Sequence, residues 1–416
     1  MTATGGERQA DVYLGAIRGR RSRVPFAPAK LEGQARLLMS PEAFAYIAGG
    51  AGAELTMRAN RAAFARRRIV PRVLRDVSRR DLAVEIFGRR LASPLLLAPI
   101  GVLEVAHRDA DIAVARAAAA HGVPFVLSSQ ASVPMETCAE AMGDAPRWFQ
   151  LYWSTSNELV ESFVRRAERC GCEAIVVTVD TTMLGWRCRD LDLAYLPFLY
   201  GKGIAQYTSD PVFQALLDAA GEAPAGKLTA TAVRALVAMS RAYPGSLLRN
   251  LCSGRPRDAV RAFVEIYSRP SLTWDDLSFL RELTTLPLVV KGVLHADDAV
   301  RAVDCGVDGV WVSNHGGRQV DGAIASLDAL PAIASAVAGR VPVLLDSGIR
   351  GGADVVKALA LGATAVCLGR PYAYGLAIGG EQGVGEVIAN VLAELDLTLG
   401  LSGFASLAEL TPDVLA

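Results

Sequence analysis

The segment Ser313-Asn314-His315-Gly316-Gly317-Arg318-Gln319 combines residue types that can act together on a small acid. His315 follows a predicted strand and precedes two glycines, so little side-chain bulk shields its imidazole. An imidazole accepts a proton near neutral pH. Arg318, three residues further on, can hold a carboxylate through two parallel hydrogen bonds. A base beside a carboxylate clamp is what proton removal from a hydroxy acid requires.

A second segment, Thr178 to Arg187, supplies a carboxylate and another arginine. Asp180 ends an apolar run, where an unpaired carboxylate would be costly. Pairing with His315 would orient the imidazole and stabilise its protonated form. Arg187 is a second candidate for holding a substrate carboxylate. The alternative is an ordinary surface ion pair between Arg187 and Asp180.

Two glycine-rich strand ends predict a phosphate site. One is Asp346-Ser347-Gly348-Ile349-Arg350-Gly351-Gly352, and the other is Gly369-Arg370. Backbone N–H groups and a helix N-terminus after the last two strands of a barrel commonly bind phosphate. This pattern does not say which phosphate compound binds. Lys291, which ends another apolar run, needs an anionic partner if it is buried, or it serves as a Schiff-base lysine.

Eight apolar runs with helical stretches between them must position these groups. Such continuous runs are typical of parallel strands buried on both faces. Eight repeats of strand and helix predict an α/β fold of the closed (β/α)₈ barrel type. The runs are residues 94–99, 123–128, 148–152, 174–180, 286–291, 309–313, 341–346 and 365–369.

Polar side chains stand at the carboxyl ends of these runs. The carboxyl ends of barrel strands meet at one mouth, where barrel enzymes build their active sites. Any one of these residues could simply form a hydrogen bond to the backbone of the following loop. That explanation does not easily account for ten of them. The residues are Ser128, Gln150, Tyr152, Thr178, Asp180, Lys291, Ser313, His315, Asp346 and Arg370.

Two regions lie outside the strand–helix repeat. Residues 1–90 are predicted to form an N-terminal helical segment that packs on the barrel of residues 91–416. Residues 191–271 form an insertion between the fourth and fifth strands, and a connection this long is commonly a lid or a disordered segment. We expect part of this insertion to cover the site and part to be mobile.

The composition excludes several classes of protein. Lys plus Arg and Asp plus Glu each number 43, so no net charge draws the chain to nucleic acid or to an anionic membrane. No stretch reaches the roughly 20 apolar residues that span a bilayer. The first 23 residues lack the apolar core of a signal peptide. The 7 cysteines have neither disulfide nor metal-site spacing, which predicts a soluble cytoplasmic protein without a metal.

Over about residues 40–410, the chain resembles the FMN-dependent 2-hydroxy-acid oxidase and dehydrogenase family, and within it the L-lactate 2-monooxygenase branch. The resemblance implies FMN at the carboxyl mouth of a (β/α)₈ barrel and a homotetramer or homo-octamer. It rests on Tyr46-Ile47-Ala48-Gly49-Gly50, Ala98-Pro99-Ile100-Gly101-Val102, Phe149-Gln150-Leu151-Tyr152, Gly185-Trp186-Arg187, Pro197-Phe198-Leu199, the segment 208–213 and Gly369-Arg370-Pro371-Tyr372-Ala373.

The same resemblance implies a role for each site residue. His315 would be the catalytic base and Asp180 its partner, while Tyr152 would bond the reacting hydroxyl. The substrate carboxylate would be held by Tyr46, Arg187 and Arg318. The FMN ring would contact Pro99, Ile100, Gly101, Ser128, Gln150, Thr178, Lys291 and Ser313. The ribityl chain would meet Asp346, and the phosphate would be bound by Gly348, Arg350, Gly369 and Arg370.

The implied reaction is oxidation of a small L-2-hydroxy acid by O₂, with L-lactate decarboxylated to acetate, CO₂ and water. The alternatives are an oxidase that releases the 2-oxo acid and H₂O₂, and a dehydrogenase with another acceptor. A flavin-free barrel aldolase or isomerase using Lys291, or a non-catalytic barrel, represents a different class. Trp153, Met183 and Trp186 are candidates for the substrate side-chain pocket, and Gly101 for the space available to oxygen.

Overall fold

Four helices open the chain, and the computed structural model describes residues 4–219 and 229–416. Helices α1 and α3 begin after Thr4 and Ser40, whose side chains accept hydrogen bonds from the first turn. Such caps satisfy N–H groups that have no partner inside the helix. The four helices are α1 (Gly5–Ile17), α2 (Pro28–Leu38), α3 (Pro41–Ala48) and α4 (Leu55–Arg66).

A two-stranded hairpin, which the prediction of helices for residues 1–90 did not include, follows these helices. Strands β1 (Val84–Ile86) and β2 (Arg89–Leu91) are antiparallel. Phe87 and Gly88 turn between them with φ of 51° and 75°, as a tight two-residue turn requires. The ring of Phe87 packs 5.4 Å from that of Trp148, near the start of a barrel strand. The hairpin therefore closes the amino end of the barrel.

The barrel itself is closed and parallel, which confirms the predicted (β/α)₈ architecture. Each strand pairs with the next, and the last pairs with the first. The interior near the amino end is filled by apolar side chains such as Leu96, Trp148 and Trp311. The strands are β3 (Leu95–Leu97), β4 (Phe125–Leu127), β5 (Arg147–Leu151), β6 (Ile175–Thr178), β7 (Leu288–Val293), β8 (Gly309–Val312), β9 (Val343–Leu345) and β10 (Ala365–Leu368).

Helices surround the barrel and bury one apolar face against it. In α7, for example, Leu159, Phe163 and Val164 are buried at helical spacing. The last helix is broken where Gly379 and Gly380 leave helical geometry. The barrel helices are α5 (Ala110–His121), α6 (Met135–Met142) and α7 (Asn157–Arg169). Helix α8 (Cys188–Asp192) leads into the insertion, which holds α9 (Ala205–Thr208), α10 (Pro211–Ala219), α11 (Ala230–Ala242), α12 (Leu247–Ser253) and α13 (Arg255–Ile266). Helices α14 (Asp276–Leu283), α15 (Ala296–Asp304), α16 (Ser326–Val337), α17 (Gly352–Ala360) and α18 (Arg370–Leu401) complete the order.

The insertion between β6 and β7 is packed against the barrel. Tyr207 meets Phe163 of α7 at 5.0 Å and Phe263 of α13 at 4.8 Å, each edge to face. Arg166 and Asp210 form a buried ion pair at 3.0 Å. Residues 220–228, part of the segment expected to be mobile, lie outside the described residues. Within the described ranges, no helix has the length and apolar character needed to cross a membrane.

Candidate active site

A cleft opens at the carboxyl ends of the barrel strands. Because all eight strands run in the same direction, their terminal side chains converge there. The structure brings together residues that are far apart in sequence, as the strand-end pattern predicted. Predicted site residues that line the cleft are Tyr46, Pro99, Ile100, Gly101, Tyr152, Arg187, Lys291, His315, Arg318, Asp346, Gly348, Arg350, Gly369 and Arg370.

Another group of predicted residues lies behind the wall of the cleft. Ser128 Oγ donates to Gln150 Oε1 at 2.8 Å, and Gln150 Nε2 donates to Thr178 Oγ1 at 3.0 Å. This chain of hydrogen bonds joins the ends of β4, β5 and β6. Ser313 and Asp180, also largely buried, bond to residues that do line the cleft. These side chains therefore support the surface that a ligand would touch.

His315 and Asp180 form the central polar pair. His315 leaves β8 with φ of 57°, which turns its side chain back towards the cleft. Its Nδ1 atom lies 2.8 Å from Asp180 Oδ1, and Thr181 donates to the same oxygen at 2.9 Å. On the other side of the ring, Nε2 lies 3.4 Å from the hydroxyl of Tyr152. The carboxylate accepts only, so the Nδ1 atom carries the proton and Nε2 is free to accept one.

The pKa shifts agree with that assignment. Burial alone would raise the pKa of Asp180, but the charges of His315 and Lys291 outweigh it and lower the pKa to about 2. Burial lowers the pKa of His315 by more than Asp180 raises it. Burial also raises the pKa of Tyr152 to about 12. At neutral pH the cleft therefore presents a neutral imidazole beside a carboxylate and a protonated phenol.

Two arginines, Arg187, which is buried, and Arg318, which is partly buried, lie close to this pair. Arg187 Nε donates to the backbone oxygen of Arg318 at 3.3 Å, and the Arg318 guanidinium lies 5.1 Å from the centre of the Tyr46 ring. Within the described part of the chain, neither arginine forms an ion pair. Burial, followed by the charge of Arg187, lowers the pKa of Arg318 to about 9. Asp190 is the carboxylate whose charge acts on both arginines, but it forms no ion pair with either. The guanidinium groups can therefore bind an anionic ligand, and a substrate carboxylate fits.

Arg350 and Arg370 also line the cleft, and Arg370 shares the backbone oxygen of Gly49 with Arg318. Arg370 donates to the backbone oxygens of Gly316 at 2.9 Å and Gly49 at 2.7 Å. Neither Arg350 nor Arg370 pairs with a carboxylate among the described residues, and burial lowers the pKa of both, that of Arg350 to about 10. A Cβ atom on Gly369 would meet nothing within 4 Å, so open space adjoins these cations. The arrangement fits the phosphate of a bound cofactor.

Lys291 lies in the floor of the cleft. Its Nζ atom donates to Ser313 Oγ at 2.8 Å and lies 3.3 Å from Asp346 Oδ2 and 3.9 Å from Asp180 Oδ2. Burial would lower its pKa, but Asp346 and Asp180 raise it above the ordinary value. A Schiff-base lysine must lose its proton first. The geometry therefore favours a fixed ammonium and disfavours the aldolase alternative.

The cleft also contains residues to which the sequence analysis assigned no role. Phe198, from the insertion, meets the Tyr46 ring edge-on at 6.5 Å and lies 6.2 Å from the Tyr267 ring. The motif around Phe198 was visible in the sequence, but its position over the cleft depends on the insertion's packing. Others that line the cleft are Gln130, Thr181, Leu184 and Ser347.

The three candidates for the side-chain pocket were wrong. Trp153 is buried against Phe279, while Met183 and Trp186 are 66% and 72% exposed. None of the three lines the cleft. Leu184, between the two exposed residues, faces it instead.

Gln319 holds the segment that carries Asp180 and Arg187. Its Nε2 atom donates to the backbone oxygens of Asp180 and Met183, both at 2.9 Å. Its Oε1 atom accepts from Arg187 at 3.1 Å and from the Gly185 N–H at 3.4 Å. One side chain thus fixes both ends of this segment relative to His315.

Comparison with known proteins gives concordant matches. A family model described as FMN-dependent dehydrogenase matches residues 35–416. The chain is 42% identical over 410 residues to an FMN-dependent alpha-hydroxy acid dehydrogenase of Penicillium citrinum, covering 98% of this chain and 95% of that protein. It is 42% identical over 368 residues to an L-lactate oxidase of Lysinibacillus sphaericus, covering 88% and 86% respectively. A solved structure of mandelate oxidase with (S)-4-hydroxymandelic acid has 36% identity and a TM-score of 0.77, covering 94% of this chain and 98% of that chain.

Proposed function

The chain belongs to the family of FMN-dependent dehydrogenases that oxidise 2-hydroxy acids, and from that premise we propose that it oxidises a small L-2-hydroxy acid such as L-lactate with O₂ as acceptor. The observation that carries the proposal is one cleft that holds the His315–Asp180 pair, two arginines without an ion pair, Arg187 and Arg318, and two more, Arg350 and Arg370. The three features match the hydroxyl, the carboxylate and the cofactor phosphate.

The substrate is held at the catalytic end. Arg187 and Arg318 bind its carboxylate, with the Tyr46 hydroxyl as a further donor. The Tyr152 hydroxyl bonds the reacting oxygen and directs it towards His315. Nε2 of His315 takes the hydroxyl proton as the electron pair leaves C2, and Asp180 stabilises the imidazolium that results.

FMN is the cofactor, and when bound it accepts the two electrons from C2 and passes them to the final acceptor. We assign its phosphate to Gly348, Arg350, Gly369 and Arg370, and its ribityl chain to Asp346. The Lys291 ammonium supplies positive charge to the ring. Pro99, Ile100 and Gly101 would contact the ring, and the wall behind them would be formed by Ser128, Gln150, Thr178 and Ser313.

A second outcome is oxidative decarboxylation, in which the 2-oxo acid and H₂O₂ react before release to give the shortened acid, CO₂ and water. This outcome requires a site that retains its products. Phe198 and Tyr267, which the insertion places over the cleft, favour it. For L-lactate the final product is then acetate, whereas prompt release gives pyruvate and H₂O₂.

The test is an aerobic incubation of the FMN-loaded protein with L-lactate. Acetate and CO₂ in amounts equal to the oxygen consumed would establish decarboxylation, and pyruvate with equivalent H₂O₂ would establish a simple oxidase. Catalase is added to a parallel sample, because it removes peroxide that reacts only after release. Flavin that is reduced by L-lactate but stable in air would point to a dehydrogenase. Flavin that is not reduced by any 2-hydroxy acid would refute the proposal.

We also propose a homotetramer or homo-octamer. Tyr13 and Ile17, one turn apart on α1, are 70% and 83% exposed, and a partner subunit would cover such a pair. Light scattering of the FMN-loaded protein measures the mass directly, and a monomer would contradict the assembly.

A further inference from the structure

The side-chain amide of Gln130 faces the cleft without a hydrogen bond to any described residue. Its backbone is fully engaged, since the N–H donates to Ser128 Oγ at 3.1 Å and the carbonyl accepts from Val102 at 2.8 Å. The residue is only 7% exposed and lines the cleft. The amide lines the cleft and makes no hydrogen bond to the described residues, so it can bond a ligand there.

The position of Gln130 places it at the catalytic end. It follows β4, beside Tyr152 at the end of β5, whose N–H donates to Ser129 Oγ at 3.1 Å. Its side chain packs on Gly101, because a Cβ atom there would lie 2.9 Å from Gln130 Cβ and 3.3 Å from its Oε1.

The insertion closes over the same place. A Cβ atom on Gly203 would lie 3.0 Å from the backbone oxygen of Gln130, so the insertion packs directly on this residue. Phe198, five residues earlier, and Tyr267 line the adjoining wall. The Gln130 amide is thus a polar group among the mainly apolar side chains of Leu184, Phe198 and Tyr267.

We propose that Gln130 is a specificity-determining residue that bonds a neutral polar group on the substrate side chain. An amide offers both a donor and an acceptor, and therefore suits a hydroxyl or a carbonyl. The preferred substrates are then L-2-hydroxy acids with such a group beyond C2. L-Lactate, which carries only a methyl group there, remains a substrate without using this contact. The inference rests on the proposed oxidation of 2-hydroxy acids.

Two pairs of nearly isosteric substrates test the inference. L-Glycerate and L-2-hydroxybutyrate differ by a hydroxyl in place of a methyl group on a short side chain. The L enantiomers of 4-hydroxymandelate and 4-methylmandelate make the same exchange on a long one. The two pairs place the hydroxyl at two different distances from C2, so that the amide can reach it in at least one of them. The quantity measured for all four acids is kcat/KM. The variants are Gln130→Met, which keeps the size without the amide, and Gln382→Met, the same change at an exposed site on α18.

We expect the wild type and the Gln382→Met control to favour the hydroxyl member of at least one pair by about tenfold. Gln130→Met should abolish that preference while retaining FMN and turnover of the methyl member. 3-Hydroxypyruvate and 2-oxobutyrate are the oxidation products of the short pair. If the wild type favours L-glycerate, it should also bind 3-hydroxypyruvate more tightly than 2-oxobutyrate, and Gln130→Met should lose that difference. Calorimetry measures both dissociation constants.

Two results would overturn the inference: equal kcat/KM within both pairs in the wild type, or an unchanged preference in Gln130→Met. Failure of the proposed function looks different. In that case none of the four acids, nor L-lactate, reduces the flavin.

Discussion

Asp180 offers one carboxylate oxygen to Nδ1 of His315 at 2.8 Å, and its other oxygen lies 3.9 Å from the Lys291 ammonium without a hydrogen bond. One carboxylate therefore serves both the base and the buried cation. Its pKa of about 2 keeps it ionised at every pH at which the protein would work. The carboxylate is consequently a fixed charge in the site.

Replacing Asp180 by Asn should lower the rate of flavin reduction by about 10³-fold or more, since a neutral amide neither fixes the imidazole tautomer nor stabilises the imidazolium. Stopped-flow absorbance with L-lactate under anaerobic conditions measures this rate. FMN content should be unchanged, and Asp413→Asn at an exposed position serves as control. A loss of less than tenfold would contradict the role given to Asp180.

The pH profile of kcat/KM should fall on the acid side with unit slope, because protonated His315 cannot accept the substrate proton. Burial lowers the pKa of His315 below 6.5, so the profile should be level at neutral pH and decline only below that value. The unfolded chain binds this proton more readily, and therefore stability also decreases as the pH falls. Thermal unfolding at each pH separates the two effects. A midpoint above pH 7 would contradict a neutral, buried base.

Replacing Arg350 by Met should weaken FMN binding by about 10- to 100-fold, as expected for loss of charge-assisted hydrogen bonds to a phosphate. Fluorescence titration of the flavin-free protein with FMN measures the dissociation constant. Riboflavin, which lacks the phosphate, should bind the variant and the wild type equally. Arg340→Met, an exposed arginine on the surface, is the matched control. An equal loss for riboflavin would indicate a general structural effect instead.

Replacing Gln319 by Leu should raise KM and lower kcat, because its four hydrogen bonds fix both Arg187 and the backbone of Asp180. We expect kcat/KM to fall by about 10- to 100-fold. A variant that loses thermal stability but keeps both constants would show that Gln319 is only structural. Steady-state kinetics with L-lactate and a thermal unfolding curve provide the two measurements.

The barrel and much of the cleft could be predicted from sequence because both depend on local patterns. Each strand is a short apolar run, and His315, Asp180 and Lys291 each stand at the end of one. The positions of Phe198 and Tyr267 depend on how the insertion packs on α7, and no local pattern encodes that contact. The β1–β2 hairpin was missed because its strands have three residues each, too short for a periodic signal. Gln130 carries no motif, and only the absence of a bonding partner marks it.

The unpaired guanidinium groups of Arg350 and Arg370 have a consequence for the life of the protein in a cell. Without a bound anion, the repulsion between their charges destabilises the folded state. A ligand present at 100 times its dissociation constant adds about 2.7 kcal/mol to stability, which lowers the unfolded fraction that proteases can attack by about 100-fold. Chains made when flavin is scarce would then be degraded faster. The supply of flavin would therefore affect the amount of the protein as well as its activity.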